Sequence, residues 1–106
     1  MHDISWSNSE KQVARAVFEC ALQKELSDII IEFKRAAASI SEPDELWSLT
    51  KRTDQKRREI DFKYDYRYSQ LLHVFGRLLR EGRIAEEDLQ GLGEKKVAII
   101  RTIAEL

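Results

Sequence analysis

Chain breakers are scarce in this sequence of 106 residues. Proline occurs once, at Pro43, and glycine four times, three of them between Gly82 and Gly93. That scarcity favours an all-α chain, because Gly and Pro punctuate turns and strand connections. The single cysteine, Cys20, excludes an intrachain disulfide; in a helical chain it reads as a small core or seam residue. Neither sign of charge dominates: 18 basic residues stand against 19 acidic ones, which argues against a dedicated binder of nucleic acid or of anionic membranes. There is no signal peptide and no apolar run near the roughly 18 residues of a membrane helix, so the expectation is a soluble, cytoplasmic chain with no integral membrane span.

Chemistry-bearing patterns are equally sparse. His2 and His73 lie far apart and share no ligand spacing with Cys20, so no metal site is expected. No Gly-Lys-Ser pattern cradles a phosphate. The carboxylates of Glu59, Asp61 and Asp65 alternate with Arg57, Arg58, Lys63 and Arg67 at helical spacings, which suits salt-bridged faces better than acid–base catalysis. With no nucleophile beside a base, the reading is a protein without catalytic residues or cofactors.

What is present is helical periodicity. Ser7-Asn8-Ser9-Glu10 has the form of a capping box. After it Val13, Ala14, Val17, Phe18, Ala21, Leu22, Leu26, Ile29, Ile30, Phe33, Ala37 and Ile40 recur at three- and four-residue steps, predicting one helix from about Asn8 to Ser39. Ahead of it residues 1 to 6 read as a loose arm, from which Trp6 folds back. Ser41-Glu42-Pro43-Asp44 is the break, with Ser41 as N-cap and Pro43 in the first turn. From Pro43 to Leu79 no breaker interrupts the chain before Gly76, which predicts a single helix of roughly 55 Å. Gly82 stops it as a C′ residue. Two shorter helices follow, over 84–92 and 94–105. The expected architecture is one domain over 1–106: an antiparallel two-helix stalk (about 8–63) that forms a homodimer, and a small C-terminal helical head (about 64–106).

Three stretches of the second helix invite function. K-R-T-D-Q-K-R-R from Lys51 to Arg58 reads either as a basic helix or as a solvated face; Asp54 within it and the neutral chain favour the latter. Trp47 and Arg57, ten residues apart, lie on neighbouring flanks about 15 Å apart along one helix. In an antiparallel pairing of two copies, Trp47 of one stacks on Arg57 of the other; the alternative is Trp47 as core against Leu22 or Leu26. His73 reads either as a recognition residue or as a half-buried helix residue.

The stretches D-E-L-W-S-L, K-R-R-E-I-D-F-K-Y-D-Y-R-Y-S, V-F-G-R-L-L-R-E-G and E-E-D-L resemble the fluorescence recovery protein family of cyanobacteria, most strongly from Asp44 to Leu89. The resemblance implies a dimeric, all-helical, non-enzymatic regulator. Its implied partner is the photoactivated orange carotenoid protein, whose return to the resting form it accelerates, ending fluorescence quenching at the phycobilisome. The resemblance also allows a peripheral association with thylakoids. The implied partner and dimer surface comprises Trp47, Thr50, Lys51, Asp54, Arg57, Asp61 and Arg67; the implied recognition residues of the head are His73 and Phe75. Thr50 and Lys51 stand where relatives tend to carry a His-Asp pair, and His73 where they often carry an aromatic residue, with Asp54 one turn on as a compensating carboxylate. These departures leave a second reading: a dimeric scaffold unrelated to photoprotection, with another protein partner.

Overall fold

The computed structural model describes residues 4–106, so the expectation for His2 lies outside the described residues. The capping box forms as the sequence predicts: the Ser7 N–H donates to Glu10 Oε1 at 2.8 Å and the Glu10 N–H donates to Ser7 Oγ at 3.1 Å. It opens helix α1, Asn8–Ala38. The second helix, α2, runs Pro43–Lys63. Its N-cap is Glu42 and not Ser41, because the Glu45 carboxylate turns back to accept from both the Glu42 N–H (3.1 Å) and the Ser41 N–H (3.4 Å). Helices α3, Leu71–Arg80, and α4, Glu94–Ala104, follow, joined through a 3₁₀ helix over Glu86–Leu92.

The single helix expected from Pro43 to Leu79 is therefore two. It ends at Lys63, and residues 64–70 turn the chain before α3 begins. Tertiary contacts outweigh local propensity here. The tyrosines of Tyr64-Asp65-Tyr66-Arg67-Tyr68 alternate, and all three meet α1: Phe18 packs edge-on against the rings of Tyr64 (5.4 Å) and Tyr66 (4.8 Å), and Lys11 lies over the Tyr68 ring at 5.2 Å. The Tyr66 ring carries Arg15 on its face at 3.8 Å, and Tyr68 lies against Trp6 at 5.6 Å. Trp6 thus folds back onto this segment. An α-helix would scatter these rings by 200° per step and lose half of those contacts.

Gly82 ends α3 as expected, with φ +74°. The Arg83 N–H donates to Leu78 O at 2.8 Å and the Gly82 N–H to Leu79 O at 3.1 Å, a Schellman motif. The head core joins the first half of α1 (Ala14, Phe18, Ala21) to α3, the 3₁₀ helix and α4, around fully buried Leu71, Phe75, Leu78, Leu89 and Ile100. At Gly76 α3 and α4 approach so closely that a Cβ would stand 2.8 Å from that of Ile103.

The rest of α1 and all of α2 leave this core as a two-helix stalk. The radius of gyration is 16.9 Å and the longest extent 53 Å; a compact chain of this length has a radius near 13 Å. A buried ionic cluster fixes where the stalk leaves the head. Lys63, at the end of α2, has a side chain only 5% exposed and donates to Glu25 Oε1 of α1 at 2.7 Å and to Glu81 Oε1 at the end of α3. The Tyr64 hydroxyl donates to the same Glu25 oxygen at 2.7 Å. Arg83 bonds Asp28 at 2.6 Å, and Arg77 bonds Glu81 at 2.9 Å. Burial pushes Glu25 and Glu81 up, but their hydrogen bonds and the nearby cations outweigh it and hold both below the ordinary glutamate value. Burial and the Glu25 carboxylate push the Tyr64 hydroxyl well above its ordinary value.

Lys63→Met should cost about 1.5–3 kcal/mol, because it removes a charged hydrogen bond from the buried Glu25 carboxylate, which keeps only Arg83 at 3.6 Å and the Tyr64 hydroxyl, while the more exposed Glu81 keeps Arg77; a melting temperature equal to the parent's would show the cluster to be solvated. The pH profile follows from the same shifts. Glu25 and Glu81 titrate lower folded than unfolded, so their stabilisation is complete above the unfolded value of about 4.3 and is lost as pH falls through the folded ones. Tyr64 acts in the opposite sense, its stabilisation complete below about pH 10 and lost above it. Melting temperature measured against pH should thus form a plateau with two falling limbs, and Glu25→Gln should shrink the acid limb.

Candidate stalk surface

Helix α2 has one facing neighbour, α1, and can bury only one stripe. Leu49, Ile60 and Lys63 take it. At 100° per residue, Trp47, Thr50, Lys51, Asp54, Arg57 and Asp61 all fall within an arc of about 120° on the remaining surface. All six are exposed, and Trp47 is 64% exposed, which removes the alternative of a core tryptophan against Leu22 or Leu26. Leu46 (45%) borders the arc on one side and Phe62 (83%) on the other. From α1, Ile30 (54%) and Phe33 (43%) add to the apolar surface of the stalk.

Charges within the arc are loosely tied. Arg58 pairs with Asp54 at 2.9 Å, and Arg57 reaches Asp61 only at 4.0 Å. Asp54 is thus held by Arg58 within the chain, not by Arg57. Thr50 spends its hydroxyl on Leu46 O at 3.0 Å. The surface therefore presents an indole, a loosely held guanidinium and apolar edges. Such a surface binds another macromolecule by stacking and burial.

The other expected site residues are elsewhere. Arg67 lies in the 64–70 segment, with its guanidinium on Asp65 at 2.8 Å, which holds that carboxyl below its ordinary value. His73 is exposed on α3, remote in sequence and element from the α2 arc. Phe75, expected as a recognition residue, is fully buried in the head core. With Leu71, Leu72 and Leu78 it fills the inward side of α3, so its ring packs the fold and meets no partner. Cys20, expected in the core or a seam, is exposed, because Ala14, Phe18 and Ala21 occupy the buried stripe. Among the described residues no group of three or more His, Cys, Asp or Glu is placed to hold a metal ion, and no helix is long and apolar enough to cross a membrane. The residues that sequence reasoning missed are Leu46 and Phe62. Their signal was weak: each is apolar but off the Leu49–Ile60 stripe.

Comparison with known proteins bears on what such a stalk does. Residues 6–104 match the family model described as photoprotection regulator fluorescence recovery protein. The chain is 40% identical over 101 residues to the fluorescence recovery protein of Synechocystis sp. (strain ATCC 27184 / PCC 6803 / Kazusa), covering 95% of this chain and 93% of that protein. Among solved structures, it is similar to the Fremyella diplosiphon fluorescence recovery protein with a TM-score of 0.92 at 37% identity, covering 96% of this chain and 100% of that one. The Synechocystis sp PCC 6803 structure gives the same score and coverage at 39% identity.

The two kinds of aromatic residue separate by stability. Trp47→Ala should change unfolding free energy by no more than about 0.5 kcal/mol in a monomeric chain, whereas Phe75→Ala should cost about 3–5 kcal/mol. Denaturant melts of both variants at concentrations where the chain scatters as a monomer, with equal losses, would overturn the assignment of Trp47 to the surface.

Proposed function

This chain belongs to the photoprotection regulator fluorescence recovery protein family, and from that premise we propose that it binds the photoactivated orange carotenoid protein and accelerates its return to the resting form. In this reading the chain works as a homodimer paired through the stalk, without chemistry of its own. The family description is that of a regulator and not of a catalyst. The observation that carries the proposal is the exposed stalk surface: Ile30, Leu46, Trp47 and Phe62 are large, apolar and 45% exposed or more. A single facing helix leaves these side chains without cover, which supports an interaction surface on the stalk. A two-fold pairing covers part of it with the identical surface of a second copy.

The mechanism is differential binding. A regulator that binds the partner's resting or transition arrangement more tightly than the photoactivated one shifts the population and lowers the barrier between them. Each tenfold acceleration requires about 1.4 kcal/mol of such preference. Thr50 and Lys51 replace the His-Asp pair to which the resemblance points, and they lie inside the arc. They favour the second reading, in which the same dimeric scaffold serves a different protein partner.

Dark relaxation of photoactivated orange carotenoid protein, followed spectroscopically with and without the chain, separates the two readings. Marked acceleration supports the first; a confirmed dimer with no acceleration supports the second. The dimer itself should be seen by light scattering at micromolar concentration, and Ile30→Glu should convert it to a monomer while leaving the helical spectrum intact. A parent chain that scatters as a monomer removes the stalk pairing.

A further inference from the structure

The stalk has a second side. Between them α1 and α2 leave an open cleft of about 200 Å³. Its floor is Ile29, Phe33, Ala36 and Leu49, with Leu49 buried. Its rim is Glu32 on α1, and Arg52 and Lys56 on α2. Arg52 lies about 140° around α2 from both Trp47 and Arg57, so the Arg52 rim faces away from the arc, whereas Thr53, which also lines the cleft, lies about 40° from Arg57.

The polar groups at the cleft are committed, with one exception. Thr53 donates its hydroxyl to Leu49 O at 2.8 Å. Glu32 pairs with Arg35 at 3.1 Å, and Lys56 with Glu59 at 3.4 Å. Arg52 is exposed, and among the described residues no carboxylate lies within 4.0 Å of it. The result is an apolar slot with one uncommitted guanidinium at its edge. A guanidinium in that position favours a carboxylate, which it meets with two parallel hydrogen bonds.

We propose that this cleft is a second protein-docking site, which receives one apolar side chain of a partner while Arg52 binds a carboxylate next to it in the partner's chain. This rests on the reading of the chain as a regulator acting through a protein partner. Size decides the class of ligand. Sites for free small molecules enclose about 300–1,000 Å³ and bury most of the ligand. An open slot of about 200 Å³ holds a single leucine- or phenylalanine-sized group, as the pockets at the centre of protein interfaces do. Pairing with a second copy through Leu46 and Trp47 leaves Arg52, about 120° and 140° around α2 from them, uncovered.

The test measures relaxation of photoactivated orange carotenoid protein against concentration of the chain, for the parent, Arg52→Gln and Arg52→Glu, with light scattering on each. The expected result is an unchanged particle size. The half-maximal concentration should rise about tenfold for Arg52→Glu and less for Arg52→Gln, with a weaker dependence on salt than in the parent. An Arg52→Glu curve within about twofold of the parent at low salt overturns the proposal. So does a smaller particle, which would assign the cleft to a second copy. If the parent itself gives no acceleration, the carotenoid-protein reading fails separately, and the cleft is decided by titrating acetyl-Leu-Asp-amide into the nitrogen-15-labelled chain. Amide shifts at Ile29, Phe33, Leu49 and Arg52 that Arg52→Glu abolishes support the site; none up to the solubility of the peptide ends it.

Discussion

One buried ammonium group decides how the two parts of this molecule meet. Lys63 is the last residue of α2, and its side chain reaches carboxylates from two other helices, Glu25 in the middle of α1 and Glu81 at the end of α3. Tyr64, the next residue, uses its hydroxyl on the same Glu25 oxygen. Those contacts coexist only if α2 stops here and the chain turns, bringing α3 back toward α1. Buried ion pairs are a weak source of net stability, because desolvation offsets most of their Coulomb gain. Their effect is on geometry: Lys63, inside α2, already faces Glu25 of α1, whereas the Tyr64 hydroxyl and Glu81 of α3 reach the cluster because the chain turns. Direction of the stalk, and hence presentation of Trp47 and Arg57, depends on that arrangement.

A comparable clasp holds the other end of the head. Lys96 of α4, itself nearly buried, donates to Ser5 O at 2.7 Å and to Glu10 at 3.0 Å, and lies over the Trp6 ring at 5.0 Å. Glu10 is the residue that closes the capping box of α1. One carboxylate therefore caps a helix and ties α4 to the chain's beginning, and the hydrogen bonds from the Ser7 backbone and Lys96 hold it below its ordinary value. The two lysines do the same job at two ends of a small core. Each is a nearly buried ammonium group whose hydrogen bonds go to carboxylates of other elements, Lys63 to Glu25 and Glu81, Lys96 to Glu10.

The all-helical class, the course of α1, the break before Pro43, the stop at Gly82 and the last helix were legible because each rests on local signals: three- and four-residue periodicity, a capping box, a C′ glycine. The break at residue 64 was not, because no local breaker makes it. Tyr64, Tyr66 and Tyr68 do alternate with period two in the sequence, and that was the available sign. What gives the alternation its consequence is Phe18, more than forty residues earlier. Phe75 shows the converse. Its spacing to Leu71 and Leu78 already places it inside α3, and the resemblance placed it on the surface; the burial follows the spacing. Trp47 was ambiguous for a physical reason. An apolar residue on an amphipathic helix reads as core unless the number of covering layers is known, and one sequence does not state that number.

That number explains the division of labour in the fold. The head closes a core from four elements, so its residues answer to packing. The stalk is two helices thick, and a single facing helix covers one stripe of each. Everything else on α2 is solvent-facing by geometry, whatever its polarity. Residues such as Thr50 and Lys51 can therefore change identity without disturbing the head, while a change at Lys63 or Glu25 alters how the whole surface is aimed. The proposed recognition surface is thus separable from the packing of the head, because one facing helix leaves it outside any core.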